Sequence, residues 1–396
     1  GGGPCRGGPA GRMTETSDVV VVGGGVVGAS AAYHLAGAGA GRVLLLERED
    51  ALGMGSTGAC AGGFRHQFSS EINIRLSLAS VPMILSFQET HGIPLDVHQD
   101  GYLFLVRSEA SWRSFVVAAE LQRGLGIDAR LLQPEEAGAL APGLGLDGMI
   151  GATFCPDDGI ADPSGLTGGY GTIARRAGAE LRTGVEVHAI LTDGARVTGV
   201  ETSEGPVTTG IVVNAAGPWA GLLAKTCGVV LPLEPVPRTV VVTGPFPGAP
   251  NRKTLVVDAD TSFYFHREGP GVLMGMGSPN ERASFDTTVD ETAVANELIP
   301  TAIRVFPPLE RAGIARTWAG LYEMTPDRHP IIGPVTGSMG LYLACGFSGH
   351  GFQHAPIVGK LLAEMIVEGE ARTVDVSGLS LERFERGELV REGHVV

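Results

Sequence analysis

The sequence predicts a mixed α/β fold, a Rossmann-like domain interleaved with a mostly antiparallel β-sheet domain. Three observations point there. Residues 18–35 read D-V-V-V-V-G-G-G-V-V-G-A-S-A-A-Y-H-L, a strand, a glycine turn and a helix, and an acid, Glu47, ends the next strand. Two further strands run into glycine turns, N-A-A-G-P-W-A in mid-chain and C-G-F-S-G-H-G-F-Q near the far end. Between these pieces lie alternating strands of a different sheet.

The first unit carries the most information. Gly23, Gly25 and Gly28 fit G-x-G-x-x-G in the strand–turn–helix context that gives the pattern meaning. Gly23 allows the sharp turn, Gly25 admits a pyrophosphate to the backbone, and Gly28 lets helix and strand approach. The helix start offers unpaired N–H groups and partial positive charge to phosphates. Glu47 can accept both ribose hydroxyls. Together these imply a bound dinucleotide.

Bulk properties narrow the class. The chain has 396 residues, enough for two or three domains, with 43% hydrophobic and 18% charged residues, as in a soluble enzyme. A net charge of −14 argues against nucleic acid or an anionic membrane as partner. No apolar run reaches the roughly 18 residues of a membrane span. Residues 1–12 read as a disordered tail, with Met13 as a candidate natural start. Five scattered cysteines without C-x-x-C favour the reducing cytoplasm.

In chain order, strands are expected at 18–22 and 43–46, then a glycine-rich stretch without regular structure at 53–68. Ser69 or Ser70 caps a helix to about 89, followed by a strand at 101–106, helices at 109–123 and 133–140, and a strand at 148–154. Asp157 and Asp158 read as solvated turn acids. A helix at 163–178 feeds a meander at 180–182, 185–191 and 195–202, then a strand at 207–213 and a helix to 227. Strands at 234–243, 254–258, 262–266, 271–276 and 313–322 belong to the second sheet, with a helix at 290–305. A strand at 340–345 precedes a helix at about 356–368. The expected cofactor domain is therefore discontinuous, 13–80, 150–230 and 325–396, as is the substrate domain, 81–149 and 231–324.

The choice of dinucleotide rests on the far end. A helix after 346–351 would point positive charge at a second part of the cofactor, where a reduced flavin is negative; this favours FAD over NAD. The motifs V-V-V-V-G-G-G-V-V-G with L-L-L-E-R, G-S-T-G-A-C-A-G-G-F-R-H-Q-F, V-V-N-A-A-G-P-W-A, W-A-G-L-Y-E-M-T-P-D-R-H-P-I-I-G and C-G-F-S-G-H-G-F-Q resemble the D-amino-acid-oxidase-like flavoproteins. The branch they resemble holds sarcosine oxidase β-subunit, dimethylglycine dehydrogenase and dye-linked L-proline dehydrogenase β-subunit. The resemblance runs from Asp18 to about Gly369 and does not specify a substrate.

By this resemblance, Gly23, Gly25, Gly28, Glu47, Ser56 and Thr57 would hold adenosine and pyrophosphate, with Val187 beside the adenine. Ala216 and Gly217 would approach from the middle strand, and Gly346, Gly349, His350, Gly351 and Phe352 would surround the flavin edge. Relatives that bond FAD covalently use a cysteine where Gly320 stands or a histidine where Ala59 stands, so non-covalent FAD is expected.

The family oxidises amines next to a carboxylate. The resemblance assigns Arg65 to the substrate carboxylate, which a guanidinium grips through two parallel hydrogen bonds. Tyr264, on an alternating strand, is a candidate for the pocket roof, although either face of that strand could look at the substrate. His350, in G-H-G, would polarise flavin or substrate, or only shape the loop; His66 would cap a helix, neighbour the flavin or act in catalysis. Gln353 replaces a lysine of the monomeric sarcosine oxidases, and Leu273 stands where they activate oxygen with another. Both departures favour a dehydrogenase passing electrons to a carrier protein or quinone over an oxidase using oxygen.

The expected activity is oxidation of the C–N bond of a small secondary or N-methylated amino acid. Oxidative deamination of a primary D- or L-amino acid is an alternative, as is an FAD-stabilised assembly or partner protein without turnover. A place in a larger complex is compatible with any of these. The ten histidines show no ligand spacing, so no metal site is expected.

Overall fold

Val19–Val22 is buried at every position, and so is Val43–Leu46. Strands apolar on both faces belong inside a sheet covered on both sides. They form the middle of a six-stranded sheet in the order Glu180–Arg182, Val43–Leu46, Val19–Val22, Ile211–Asn214, Leu341–Cys345, Ile331–Pro334. The first five strands are parallel, and Ile331–Pro334 runs antiparallel at the edge. The computed structural model describes residues 15–278 and 282–394, so the expected tail at 1–12 lies outside the described residues.

On one face of this sheet, helix Val26–Gly37 packs between Pro163–Arg176 and Gly351–Ala363. The turn before it uses Gly23 at φ 103°, and a Cβ on Gly28 would lie 1.9 Å from the Gly23 carbonyl oxygen. The third glycine of the motif therefore sets how closely helix and turn meet.

The second large sheet has eight strands, in the order Ile314–Met324, Glu234–Thr243, Gly271–Gly275, Phe263–Glu268, Leu255–Asp258, Tyr102–Val106, Gly151–Cys155, Arg130–Leu132. All its pairings are antiparallel except that of Leu255–Asp258 with Tyr102–Val106. Alternation splits its side chains. Leu103, Leu105, Phe263 and Phe265 pack beneath helix Ile299–Val305, while Tyr102, Phe104, Tyr264 and Leu273 share the opposite face.

Several expectations are corrected. Gly151–Cys155, read with the 150–230 piece of the cofactor domain, pairs instead in the eight-stranded sheet. The strand expected at 207–213 is two: Val207–Thr208 joins a four-stranded sheet, and Ile211–Asn214 crosses to the six-stranded one. The Thr209 hydroxyl donates to the carbonyls of Asp18 and Ile211 at the break. The helix expected to reach 89 is also two, Glu71–Leu85 and Phe87–His91, because the Ser86 hydroxyl bonds back to the Pro82 carbonyl. The last large helix begins at Gly351 and continues as a π turn to Glu368; Pro356, read as its start, lies inside it. Strands Ile331–Pro334 and Arg130–Leu132 were not expected. A small sheet of Gly63–Phe64, Gly159–Ala161 and Val97–His98 crosses the glycine-rich stretch.

Candidate active site

A cavity lined by residues from both large sheets runs from Glu47 to Gln353. At its outer end are Glu47, Arg48, Val187 and Trp219. The Glu47 carboxylate accepts the N–H groups of Gly24 at 2.6 Å and Glu49 at 2.9 Å, which fix it beside the turn. The Arg48 guanidinium lies 3.7 Å above the Trp219 ring.

Further in, the cavity meets Gly23, Gly25, Ser56 and Thr57, with Ala216 and Gly217 opposite. Helix Val26–Gly37 starts here with no side-chain cap on its N-cap residue and no acid in its first turn. Thr57 Oγ1 accepts the Val26 N–H at 3.2 Å, and the Ser56 hydroxyl donates to the Leu321 carbonyl at 2.6 Å. The glycine-rich loop is thereby tied both to the helix and to the second sheet. Gly349, His350, Gly351 and Phe352 line the inner end, where helix Gly351–Ala363 also starts uncapped and without an acid. Two helix starts without an acid in the first turn on one cavity give it two regions of positive potential.

Two expected contacts lie off the cavity. Gly28 serves the helix packing described above. Gly346, expected at the flavin edge, does not line the cavity. It turns the chain at φ 76°, and a Cβ there would sit 2.6 Å from Thr325 and 2.9 Å from Leu233.

Arg65, Tyr264 and His350 all line the cavity, and Arg65 is near enough to His350 to act on its charge. Arg65 is buried. Its Nη2 donates to the His394 carbonyl at 2.5 Å and its Nη1 to the Gln67 carbonyl, and the guanidinium lies 3.9 Å from the centre of the Phe68 ring. Its charge is offset at longer range by the carboxylates of Glu392 and Asp158. Gln353 clamps the Arg65 backbone: its Oε1 accepts the Arg65 N–H at 2.9 Å and its Nε2 donates to the Arg65 carbonyl at 3.3 Å.

Tyr264 faces the cavity, which decides the open question about its strand, and Phe263 and Phe265 fill the core behind. Burial raises its phenol well above the usual range. Burial also holds His350 well below the ordinary imidazole value, with His354 and Arg65 adding to the effect, and its Nε2 is buried without a partner. Both side chains are therefore neutral at physiological pH.

Sequence reasoning missed Tyr102, Arg238, Tyr322 and Glu323, all of which line the cavity. Alternation along Ile314–Met324 could have placed Tyr322 on the face of Gly320, within a motif already singled out. The Arg238 guanidinium lies 4.6 Å over the Tyr322 ring. Glu323 Oε1 accepts the Phe347 N–H at 3.2 Å, while Oε2 is buried without a partner. Burial pushes its carboxyl up to about 7, against the backbone N–H groups of Gly346 and Phe347.

His66 does not line the cavity. Its Nδ1 and backbone N–H both meet Asp158 Oδ1, at 2.8 and 2.7 Å, and Gln67 donates to Oδ2 at 3.0 Å. Asp158 is fully buried, so its reading as a solvated turn acid is corrected. His66, Cys155 and Asp158 lie close enough together to hold an ion. Hydrogen bonds already engage both carboxylate oxygens, and burial, helped by Asp158, keeps the Cys155 thiol protonated.

Residues 18–365 match the DAO family, FAD dependent oxidoreductase. The chain belongs to this family. It is similar to FAD-dependent oxidoreductase domain-containing protein 1 of Bos taurus, 32% identical over 96% of this chain and 87% of that protein. It is 31% identical to mitochondrial sarcosine dehydrogenase of Homo sapiens over 95% of this chain but only 42% of that protein, so it spans less than half of that relative. The solved structure of L-proline dehydrogenase from P. horikoshii superposes with a TM-score of 0.88 at 35% identity, over 96% of this chain and 100% of that one. The chain is thus an FAD-dependent oxidoreductase with the mixed α/β fold of its family. Among the described residues, no helix is long and apolar enough to cross a membrane.

Proposed function

We propose that this flavoenzyme oxidises the C–N bond of a small secondary or N-methylated amino acid, of the sarcosine, dimethylglycine or proline type. The observation that carries this is a buried guanidinium, Arg65, on the wall of the FAD-family cavity, which two neutral polar side chains, Tyr264 and His350, also line. A carboxylate placed there gains charge-assisted hydrogen bonds in a site of low dielectric. Tyr264 covers the substrate, and Tyr102 and Tyr322 supply further wall.

The residues fit FAD. The acid-free start of Val26–Gly37 and the absence of side chains at Gly23 and Gly25 suit a pyrophosphate, with Ser56 and Thr57 bracing the loop. Glu47 and Val187 would meet the adenosine, and Ala216, Gly217 and Gly349 to Phe352 the flavin end. FAD supplies the hydride acceptor, so that a substrate amine becomes an imine open to hydrolysis. His350 Nε2 can accept a hydrogen bond from the amine, and its low basicity keeps it from remaining protonated.

The flavin is held without a covalent bond in this reading. Gly320 and Ala59 face one another at the two attachment places, and neither has a nucleophilic side chain. The nearby Cys60 thiol is pushed up to about 11 by burial, which disfavours the thiolate. The same reading gives electrons to a carrier protein or quinone, because Gln353 and Leu273 stand in place of lysines. Four described cysteines are free thiols, which supports a cytoplasmic setting. A place in a larger complex is compatible with this scheme.

Anaerobic mixing with sarcosine, dimethylglycine, both prolines and common D- and L-amino acids tests the proposal. Bleaching of the flavin by an N-substituted amino acid is the expected result. Reduction by glycine or another primary amino acid alone would favour deamination. No reduction by any of them would leave a partner protein without turnover.

A further inference from the structure

Arg65 is held at both ends by residues far away in sequence. Gln353 clamps its backbone, and the carbonyl of His394, 329 residues on, accepts from its Nη2. That carbonyl is itself fixed by a dense local network. Glu392 is fully buried, and its carboxylate accepts from Ser69 N and Oγ at 2.8 and 2.5 Å, from Ser70 N and Oγ at 3.0 and 2.6 Å, from Asn73 at 3.2 Å and from the His394 N–H at 3.0 Å. The His394 ring stacks on Phe115 at 3.8 Å, nearly parallel at 4°, and its Nε2 meets the Ser114 hydroxyl at 3.1 Å. The Gly393 N–H closes the network on Ser69 Oγ at 2.8 Å.

We infer that the segment 392–394 is a positioning element for substrate binding: Glu392 locks His394 so that its carbonyl aims the Arg65 guanidinium into the cavity. This rests on the reading of Arg65 as the carboxylate-binding group. An unanchored arginine loses several rotatable bonds on gripping a ligand, whereas one held in place loses fewer. The carbonyl takes one N–H without cancelling the positive charge, as a carboxylate partner would. Glu392 contributes negative potential from a distance and eases the burial of that cation. Burial opposes ionisation of Glu392 itself, but its bonds from Ser69, Ser70 and the backbone outweigh this and hold the carboxyl well below the usual range.

The test is titration of the flavin-loaded protein with pyrrole-2-carboxylate, a planar carboxylate followed by the flavin absorption spectrum. R65A is expected to weaken binding about a hundredfold, as for charge-assisted bonds of a buried anion. Glu392→Gln should weaken it about tenfold with full flavin content, and the R65A/E392Q double variant should bind no more weakly than R65A alone. Should E392Q lose flavin or fail to fold, His394→Ala carries the same expectation, since it removes the Phe115 stack and the Ser114 bond and keeps Glu392. Wild-type affinity in the variant that folds, or an equal loss with and without Arg65, overturns the inference while leaving the Arg65 assignment intact. Wild-type affinity in R65A, or no binding by the wild type, overturns both.

Discussion

At the residue scale, the candidate site is a set of buried ionisable groups whose charges burial has selected. Burial disfavours the charge on all three: Tyr264 and His350 are neutral, while Arg65, although lowered, stays a cation because a guanidinium is too basic to lose its proton. Replacing Arg65 by alanine should raise the half-saturating concentration of a carboxylate substrate in anaerobic reduction about a hundredfold, with flavin content unchanged; loss of flavin would show that the residue was misplaced. Glu323 gives a pH dependence. Its carboxyl is ordinary in the unfolded chain and pushed up to about 7 when folded. A raised acid stabilises the fold fully below its unfolded value, and that stabilisation is lost as pH rises through the folded value. The melting temperature of the wild type should therefore fall between about pH 5 and about pH 8 relative to Glu323→Gln, whose profile lacks that component. Little of this was legible in sequence. Arg65 and His350 came from motifs, but Tyr102, Tyr322 and Glu323 depend on which strand face meets the cavity, and that is decided by partners distant in the chain. Asp158 was misread because a turn acid looks solvated until His66 and Gln67 fold over it.

At the element scale, the first strand, turn and helix were legible because their signals are local: a valine run, glycines at fixed spacing and a helix start. Gly28→Ala should be severely destabilising, by about 3 kcal/mol or more, because its Cβ would sit 1.9 Å from a backbone oxygen that cannot yield. Denaturant unfolding of the apoprotein would measure this apart from any loss of flavin. The start of Gly351–Ala363 was not legible, since Pro356 mimics a first-turn proline. That error matters for function, because the true start puts His350 at the N-cap and Phe352 in the first turn, on the cavity wall.

At the scale of the whole molecule, interleaving was legible from the order of the motifs, although the boundary near residue 150 was not, because strand pairing rather than composition decides it. The chain's later part is fastened to the site loops. Arg383 forms a buried ion pair with Asp327 at 2.7 Å, and Asp327's carbonyl accepts the Glu392 N–H at 3.0 Å. Arg383→Ala strands a buried carboxylate and should cost about 3–5 kcal/mol, seen as a lower unfolding midpoint. Flavin release should follow at a lower temperature, because the strap behind Arg65 loosens with it; separate unfolding and release transitions in the wild type would argue against that coupling.

The contact between Ala59 and Gly320 limits what either position can carry. A Cβ at position 320 would lie 2.6 Å from that of Ala59. A thiol tether could be grafted there only after position 59 had been pared to glycine or the loop had shifted. A side chain at position 320 is therefore excluded unless Ala59 becomes smaller or its loop moves, so the two positions can be enlarged only one at a time.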